Sequence, residues 1–241
     1  MNADRYARQM CLKEIGHDGQ SKIEDASVLV VGIGGVNSTL LYDLAAAGVG
    51  TIGIIDPNII SVNHLNREIL HHYDDIGNLK VDSAAKKIKT FNPDIVVLPI
   101  STAINKENAV EIIGQYDIVA VGVDSIQAKM IVNEACYELK TPFVDVSSNG
   151  FMGTISFINP KTTPCLACLL GTQQPPEEIY GSVGAVVSTL GSIAATSILQ
   201  HILGLPVPIE GKLLYYDSSE MTFEKTDIKK MNNCPVCSGN D

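Results

Sequence analysis

At 241 residues, 45% hydrophobic and 18% charged, the chain is long enough to bury a sizeable core and too apolar to remain disordered. A formal net charge of −10 opposes general affinity for nucleic acid or an anionic membrane surface, so an anionic ligand needs a locally basic site. The N-terminal MNADRYARQ contains no apolar stretch flanked by basic residues; no signal peptide and a reducing, cytoplasmic setting are expected.

One compact body over 1–241 is expected, with an N-terminal arm and helix over residues 1–26, a nucleotide-binding core over 27–150 and an extension over 151–241. Within the core, the valine-rich run Val28 to Val31 suits a strand covered on both faces. It is followed by Gly32-Ile33-Gly34-Gly35, and then by apolar positions at helical spacing (Val36, Leu40, Leu41, Leu44, Ala47) that end at Gly48 and Gly50. A second apolar run, Ile52 to Ile55, stops at Asp56, 24 residues after Gly32.

In such a strand, turn, helix, strand unit the glycines let backbone N–H groups at a helix N-terminus approach a phosphate, and the acid accepts hydrogen bonds from a ribose. The alternative is an α/β unit whose glycines only shape the turn. Asn37 stands where the third glycine of the fingerprint falls, which predicts looser packing of helix on strand there.

Asp56 is followed by a polar stretch with an apolar turn at Ile69 and Leu70, expected as a loop with a short helix. Helices are predicted over 80–91, 105–113 and 125–139, and strands over 95–98, 117–121 and 142–146. This alternation predicts a mostly parallel, doubly wound sheet. Strands at 154–158, 212–216 and 222–228, with no intervening helices of the same kind, should extend it antiparallel. Residues 183–203 carry no Asp, Glu, Lys or Arg and approach the length of a membrane span, but their Ser, Thr, Gln and His content favours a packed helix and no membrane partner.

Ligands of an open α/β sheet sit beyond the C-terminal ends of its strands, where Asp56, Asp124 and Ser147 fall. Arg67 and Lys80 flank the loop after Asp56, within reach of a triphosphate at Gly34 and Gly35. Lys80 at a helix start opposes the macrodipole, which argues for a role beyond structure. Cys165/Cys168 and Cys234/Cys237 form two CxxC pairs with 65 residues between them, a pattern for a closed four-thiolate zinc site joining the C-terminal tail to the body. A redox role for one pair is the alternative. Cys11 and Cys136 stand alone and are expected as buried structural thiols.

Taken in order, RYARQ from Arg5, GIGGVNS from Gly32, AGVGTIGIIDPN from Ala47, HLNRE from His64, DIGNLK from Asp75, NPDI from Asn92, VGVDS around Asp124 and both CxxC pairs resemble the ThiF/MoeB/HesA family, relatives of the ubiquitin-activating enzymes. The resemblance implies a Rossmann-like fold and adenylation, by ATP, of the C-terminal carboxylate of a small ubiquitin-like sulfur carrier ending in Gly-Gly. By position it implies Asp56 on the ribose, Gly32, Gly34 and Gly35 at the phosphate turn, Asn66, Arg67 and Lys80 on the nucleotide, Asp124 on Mg²⁺, and Arg8 reaching the neighbouring site of a homodimer. Catalysis would then rest on positioning and charge, because the attacking carboxylate is already ionised.

Departures from the family pattern are Asn37 for glycine, Asn58 for aspartate, Asn63-His64 for Ser-Asn and Glu68 for glutamine. The loop after the first CxxC pair also lacks a cysteine, with Glu177 near its expected place, so sulfur would come from a separate donor protein. A short peptide as substrate, a nicotinamide-dependent oxidoreductase and a non-catalytic partner subunit remain as alternatives.

Overall fold

The valine-rich run forms β1 (Ser27–Val31), and the computed structural model, which describes residues 3–171 and 181–238, buries Val28 to Val31 completely or nearly so. Upstream lie α1 (Ala3–Met10) and α2 (Gly16–Asp25); downstream, α3 (Gly35–Ala47) leads to β2 (Thr51–Ile55). The core continues with α4 (Lys80–Phe91), β3 (Val96–Ile100), α5 (Ala109–Ile113), β4 (Ile118–Val121), α6 (Ile126–Leu139) and β5 (Phe143–Asn149). Then come β6 (Met152–Ile158), α7 (Leu166–Leu170), α8 (Gly184–Ile202), β7 (Lys212–Asp217) and β8 (Thr222–Asp227).

Among the described residues, eight strands form one sheet in the order β3-β2-β1-β4-β5-β6-β7-β8. The pairs among β1 to β5 are parallel, and β6, β7 and β8 are added antiparallel, as the sequence predicts. Alternation along β1 explains why its run is continuously apolar. Val28 and Val30 face a core with α3 and α8, whereas Leu29 and Val31 face a second core with α6 and α7. In β4, Ile118 and Ala120 join the first core and Val119 and Val121 the second, so a slip of one residue would exchange every side chain between layers.

Three local expectations are corrected. The apolar pair Ile69 and Leu70 nucleates no helix; single 3₁₀ turns form instead at Val62–His64 and Tyr73–Asp75. The helix expected from residue 105 begins only at Ala109, because the Asn105 and Asn108 side chains bond backbone N–H groups of residues 105, 107 and 108 and hold a turn. Asn37 does not loosen the helix on the sheet. It is buried, and its Nδ2 donates to the Val31 and Gly32 carbonyls at 3.1 and 2.6 Å. The space comes from the residue just after β4, Gly122, where a Cβ would lie 2.6 Å from Asn37 Nδ2.

Among the described residues, α8 is the one helix with the length and apolar composition to cross a membrane. Its Val186, Leu190, Ala194 and Ile198 turn into the first core, and it crosses α3 so closely that a Cβ on Gly191 would lie 2.3 Å from the Val36 carbonyl oxygen. Gly191→Ala is therefore expected to push the two helices apart and cost about 1–3 kcal/mol. A thermal melt should show a Tm lowered by several degrees, on the order of 2–4 °C per kcal/mol in a chain of this size. An unchanged Tm would contradict this account of the crossing.

Candidate active site

The strand order reverses at β1: β2 and β3 build outward on one side, β4 and β5 on the other. At the C-terminal ends of these strands lies a cavity of about 680 Å³, where an open α/β sheet places its ligands. Gly32, Gly34 and Gly35 line it, together with Asp56 after β2, His64, Arg67 and Glu68 from the following loop, and Lys80 at the start of α4. Asp124 after β4 and Ser147 complete the wall; Ser147 lies inside β5, which runs three residues further than the strand predicted. Arg8 does not line the cavity and is exposed on α1. Asn66 is also outside it, with its Oδ1 accepting from Arg67 Nη1 at 3.0 Å.

The three glycines are not equivalent. Gly32 has φ +84°, and a Cβ there would sit 2.5 Å from Val123 Cγ1, so both backbone and packing exclude a larger residue. Gly35 is held by packing, its Cβ direction meeting Val187 Cγ2 at 2.8 Å. At Gly34 the nearest atom is the Gly122 carbonyl oxygen at 3.8 Å, so the fold leaves room there. Gly34 is also the N-cap of α3 and gives it no side-chain cap, which leaves first-turn N–H donors for an anion.

Asp56 is buried and already engaged. Its Oδ2 accepts from the Ile33 N–H at 2.7 Å, and its Oδ1 accepts from the Asn58 N–H and Nδ2 at 2.7 and 2.8 Å. A carboxylate has about four acceptor positions, so roughly one is left for a further donor.

Lys80 is not free. Its Nζ donates to Glu68 Oε1 at 2.8 Å, with both residues buried. Burial raises the Glu68 carboxyl above the usual range, against the pull of the Lys80 and Arg67 charges. His64, whose Nδ1 accepts from the Ser61 N–H at 3.1 Å, is lowered by burial and then by Lys80 and Arg67, so it is neutral. Behind Glu68, burial and the Lys87 and Lys80 charges hold His71 down to about 4. The cavity wall carries two cations, Arg67 and Lys80, against three acids, Asp56, Glu68 and Asp124. The locally basic site expected for an anion is therefore not what these side chains alone provide.

Behind the far wall, outside the cavity lining, Lys129 of α6 is buried and pairs with Asp145 at 2.7 Å while donating to the Val146 carbonyl and Ser147 Oγ at 2.8 and 2.7 Å. It fixes the end of β5 where that strand lines the cavity.

Away from the cavity, Cys165, Cys168, Cys234 and Cys237 bring their Sγ atoms within 4.8 Å of one another. The closest separations are 3.3 Å for Cys165–Cys234, 3.5 Å for Cys168–Cys237 and 3.9 Å for Cys165–Cys168. Tetrahedral Zn–S bonds of about 2.3 Å place sulfurs about 3.8 Å apart, so the cluster fits a metal of that kind. Burial pushes Cys165 far up and Cys237 to about 11. At Cys234 burial is outweighed by hydrogen bonds from the Cys237 and Val236 backbone, which bring it to about 7. Of the isolated cysteines, Cys136 is buried as expected, but Cys11 is exposed where the chain leaves α1. The loop position of Glu177 lies outside the described residues.

The sequence profile of the ThiF family matches residues 6–236. The chain belongs to the ThiF family. Relatives include a sulfur carrier protein adenylyltransferase from Thermus thermophilus, 34% identical over 97% of this chain and 90% of its own length. The SAMP-activating enzyme E1 of Haloferax volcanii is 31% identical over 97% of this chain and 88% of its own. The adenylyltransferase and sulfurtransferase MOCS3 of Culex quinquefasciatus is 37% identical over 98%, and the chain spans only 55% of that relative. The fold is that of Escherichia coli MccB solved with MccA-N7isoASN, with a TM-score of 0.88 over 99% of this chain and 75% of the other at 20% identity.

Two parts of this ThiF-family site escaped the sequence reading. Glu68 was visible as a substitution for glutamine, yet nothing in the local sequence tied it to Lys80, 12 residues away. Lys129 did leave a signal: it shares a helix face with Val132 and Cys136, where an unpaired lysine would be costly to bury.

Proposed function

We propose that the chain is an adenylyltransferase that uses ATP to activate the C-terminal carboxylate of a small ubiquitin-like sulfur carrier ending in Gly-Gly, releasing pyrophosphate. The observation that carries the reading is the convergence in one cavity of an uncapped helix N-terminus with Asp56, Arg67, Lys80 and Asp124. The similarity to the sulfur carrier protein adenylyltransferase of Thermus thermophilus, matched over 90% of that protein's length, supports it.

In this reading the α3 N-terminus and Gly34 hold phosphate, the remaining acceptor position of Asp56 takes a ribose hydroxyl, and Arg67 and Lys80 balance the triphosphate. Asp124 would hold Mg²⁺, which adds charge stabilisation on the leaving pyrophosphate. Arg8 would act from the partner subunit of a homodimer, in keeping with its exposed position outside its own chain's cavity. Sulfur would come from a separate donor protein, since Cys11 and Cys136 do not line the cavity.

The test is pyrophosphate exchange with purified Gly-Gly-ending carriers. Exchange is expected with a cognate carrier and not with the same carrier lacking its last glycine. Arg8→Ala and Asp124→Ala should each reduce it by roughly 100-fold or more. A mixed dimer of the two variants should regain activity through its one intact site. A chain that binds MgATP but gives no exchange with any such carrier would overturn the substrate assignment. Mixed dimers as inactive as their parents, despite proven subunit exchange, would overturn the shared site.

The four-cysteine cluster would hold one structural Zn²⁺, tying the C-terminal tail to α7. Freshly purified protein should contain close to one equivalent, and Cys234→Ser/Cys237→Ser should lose the metal and melt at lower temperature. Zinc below about half an equivalent, or unchanged in the double variant, would contradict this.

A further inference from the structure

The charge arrangement around Glu68 conflicts with a triphosphate. The residue faces Lys80 from α4, His64 and Arg67 from its own loop, His71 just beyond it and Asp56 from the end of β2. Its Oε1 holds Lys80, while its Oε2 is buried and has no hydrogen-bond partner. The atom opposite, His71 Nε2, is likewise buried, 3.8 Å away and without a well-aligned hydrogen bond, while the Ile33 backbone and the Lys87 and Asp75 charges also act on this ring. The other ring nitrogen of His71, Nδ1, contacts Ser83 Oγ at 3.0 Å.

Two buried orphan atoms facing each other at this distance can share one proton after a small approach. If the carboxylate is ionised, a proton on His71 Nε2 serves the pair, with Ser83 Oγ donating to Nδ1. If Oε2 carries the proton, it donates to Nε2, and Nδ1–H donates to Ser83 Oγ. The pair is thus satisfied in either protonation state of Glu68, with His71 neutral in both.

We propose that Glu68 is a proton-coupled gate on Lys80: when a nucleoside triphosphate enters the cavity, Glu68 Oε2 takes up one proton from solvent, and the neutral carboxyl releases the Lys80 ammonium to the phosphates. This rests on the nucleotide-binding reading of the cavity. Before binding, the Glu68 charge compensates Lys80 in a buried setting. With the triphosphate present the phosphates do so, and a second buried anion beside them is destabilising. Burial has already raised the Glu68 carboxyl, so the added negative charge moves it further in the same direction. Protonated glutamic acid then presents the same outline as glutamine. Glu68 is a positioning residue here, acting through Lys80.

The experiment is calorimetric titration of the full chain with MgATP in buffers of different ionisation enthalpy, above about pH 7.5, where MgATP itself takes up little proton. The wild-type chain should take up close to one proton per bound nucleotide at the lower end of the range. Its affinity should fall by up to about tenfold per pH unit as pH rises, because the bound state holds the extra proton. Glu68→Gln should bind MgATP without that uptake and with a nearly flat pH profile. Wild-type binding with no proton uptake overturns the gate while leaving the nucleotide reading intact, and needs no variant to be folded. Uptake that persists in folded Glu68→Gln also overturns it, by assigning the proton elsewhere. Failure of the folded wild-type chain to bind MgATP at all would sink the nucleotide reading and the gate together.

Discussion

The bond from the Ile33 N–H to the Asp56 carboxylate ties the glycine turn after β1 to the end of β2, and the geometry of the cavity depends on it. The same carboxylate accepts from Asn58 on its other side, so it fixes the start of the loop that carries His64, Arg67 and Glu68. A buried carboxylate with three donors is held in one place. That leaves the α3 N-terminus and the loop at a set separation, with only limited acceptor capacity on Asp56 for anything further. Asn37 reinforces the arrangement by bonding the carbonyls of Val31 and Gly32, which secures the turn from the helix side.

Around this anchor, polar groups are held in pairs that neutralise one another. Lys80 is bound to Glu68 and Lys129 to Asp145, each pair well buried. Burying an ion pair gains little stability over apolar packing, but removing one partner leaves a costly lone charge. The two pairs differ in surroundings. Lys129 also donates to a carbonyl and a hydroxyl, so it serves to fix β5. Glu68 keeps one oxygen without a partner, and its pair is the one that opens directly on the cavity.

The sheet was legible because its signals are local and mutually consistent. Continuous valine and isoleucine runs mark strands covered on both faces, and the alternation with helices fixes the parallel core. Lys80 to Phe91 could be bounded because Asn92-Pro93 ends that helix. The misjudged pieces were those where side chains capture the backbone, as Asn105 and Asn108 do before α5, or where an apolar pair forms no helix, as at Ile69 and Leu70, of which Leu70 is buried and Ile69 exposed. At the site, residues at strand ends could be placed from the chain order alone. The Glu68–Lys80 pair and the role of Gly122 in admitting Asn37 could not, since both arise from contacts between segments distant in sequence.

The central claim, that the cavity at the β1/β4 reversal is an ATP site built on the α3 N-terminus, is tested most directly by a crystal structure with a non-hydrolysable ATP analogue and Mg²⁺. The account predicts phosphate at Gly34 and Gly35, the ribose beside Asp56, and Lys80 Nζ moved from Glu68 to the phosphates. A nucleotide bound outside this cavity, or bound within it with the α3 N-terminus left empty, would contradict it.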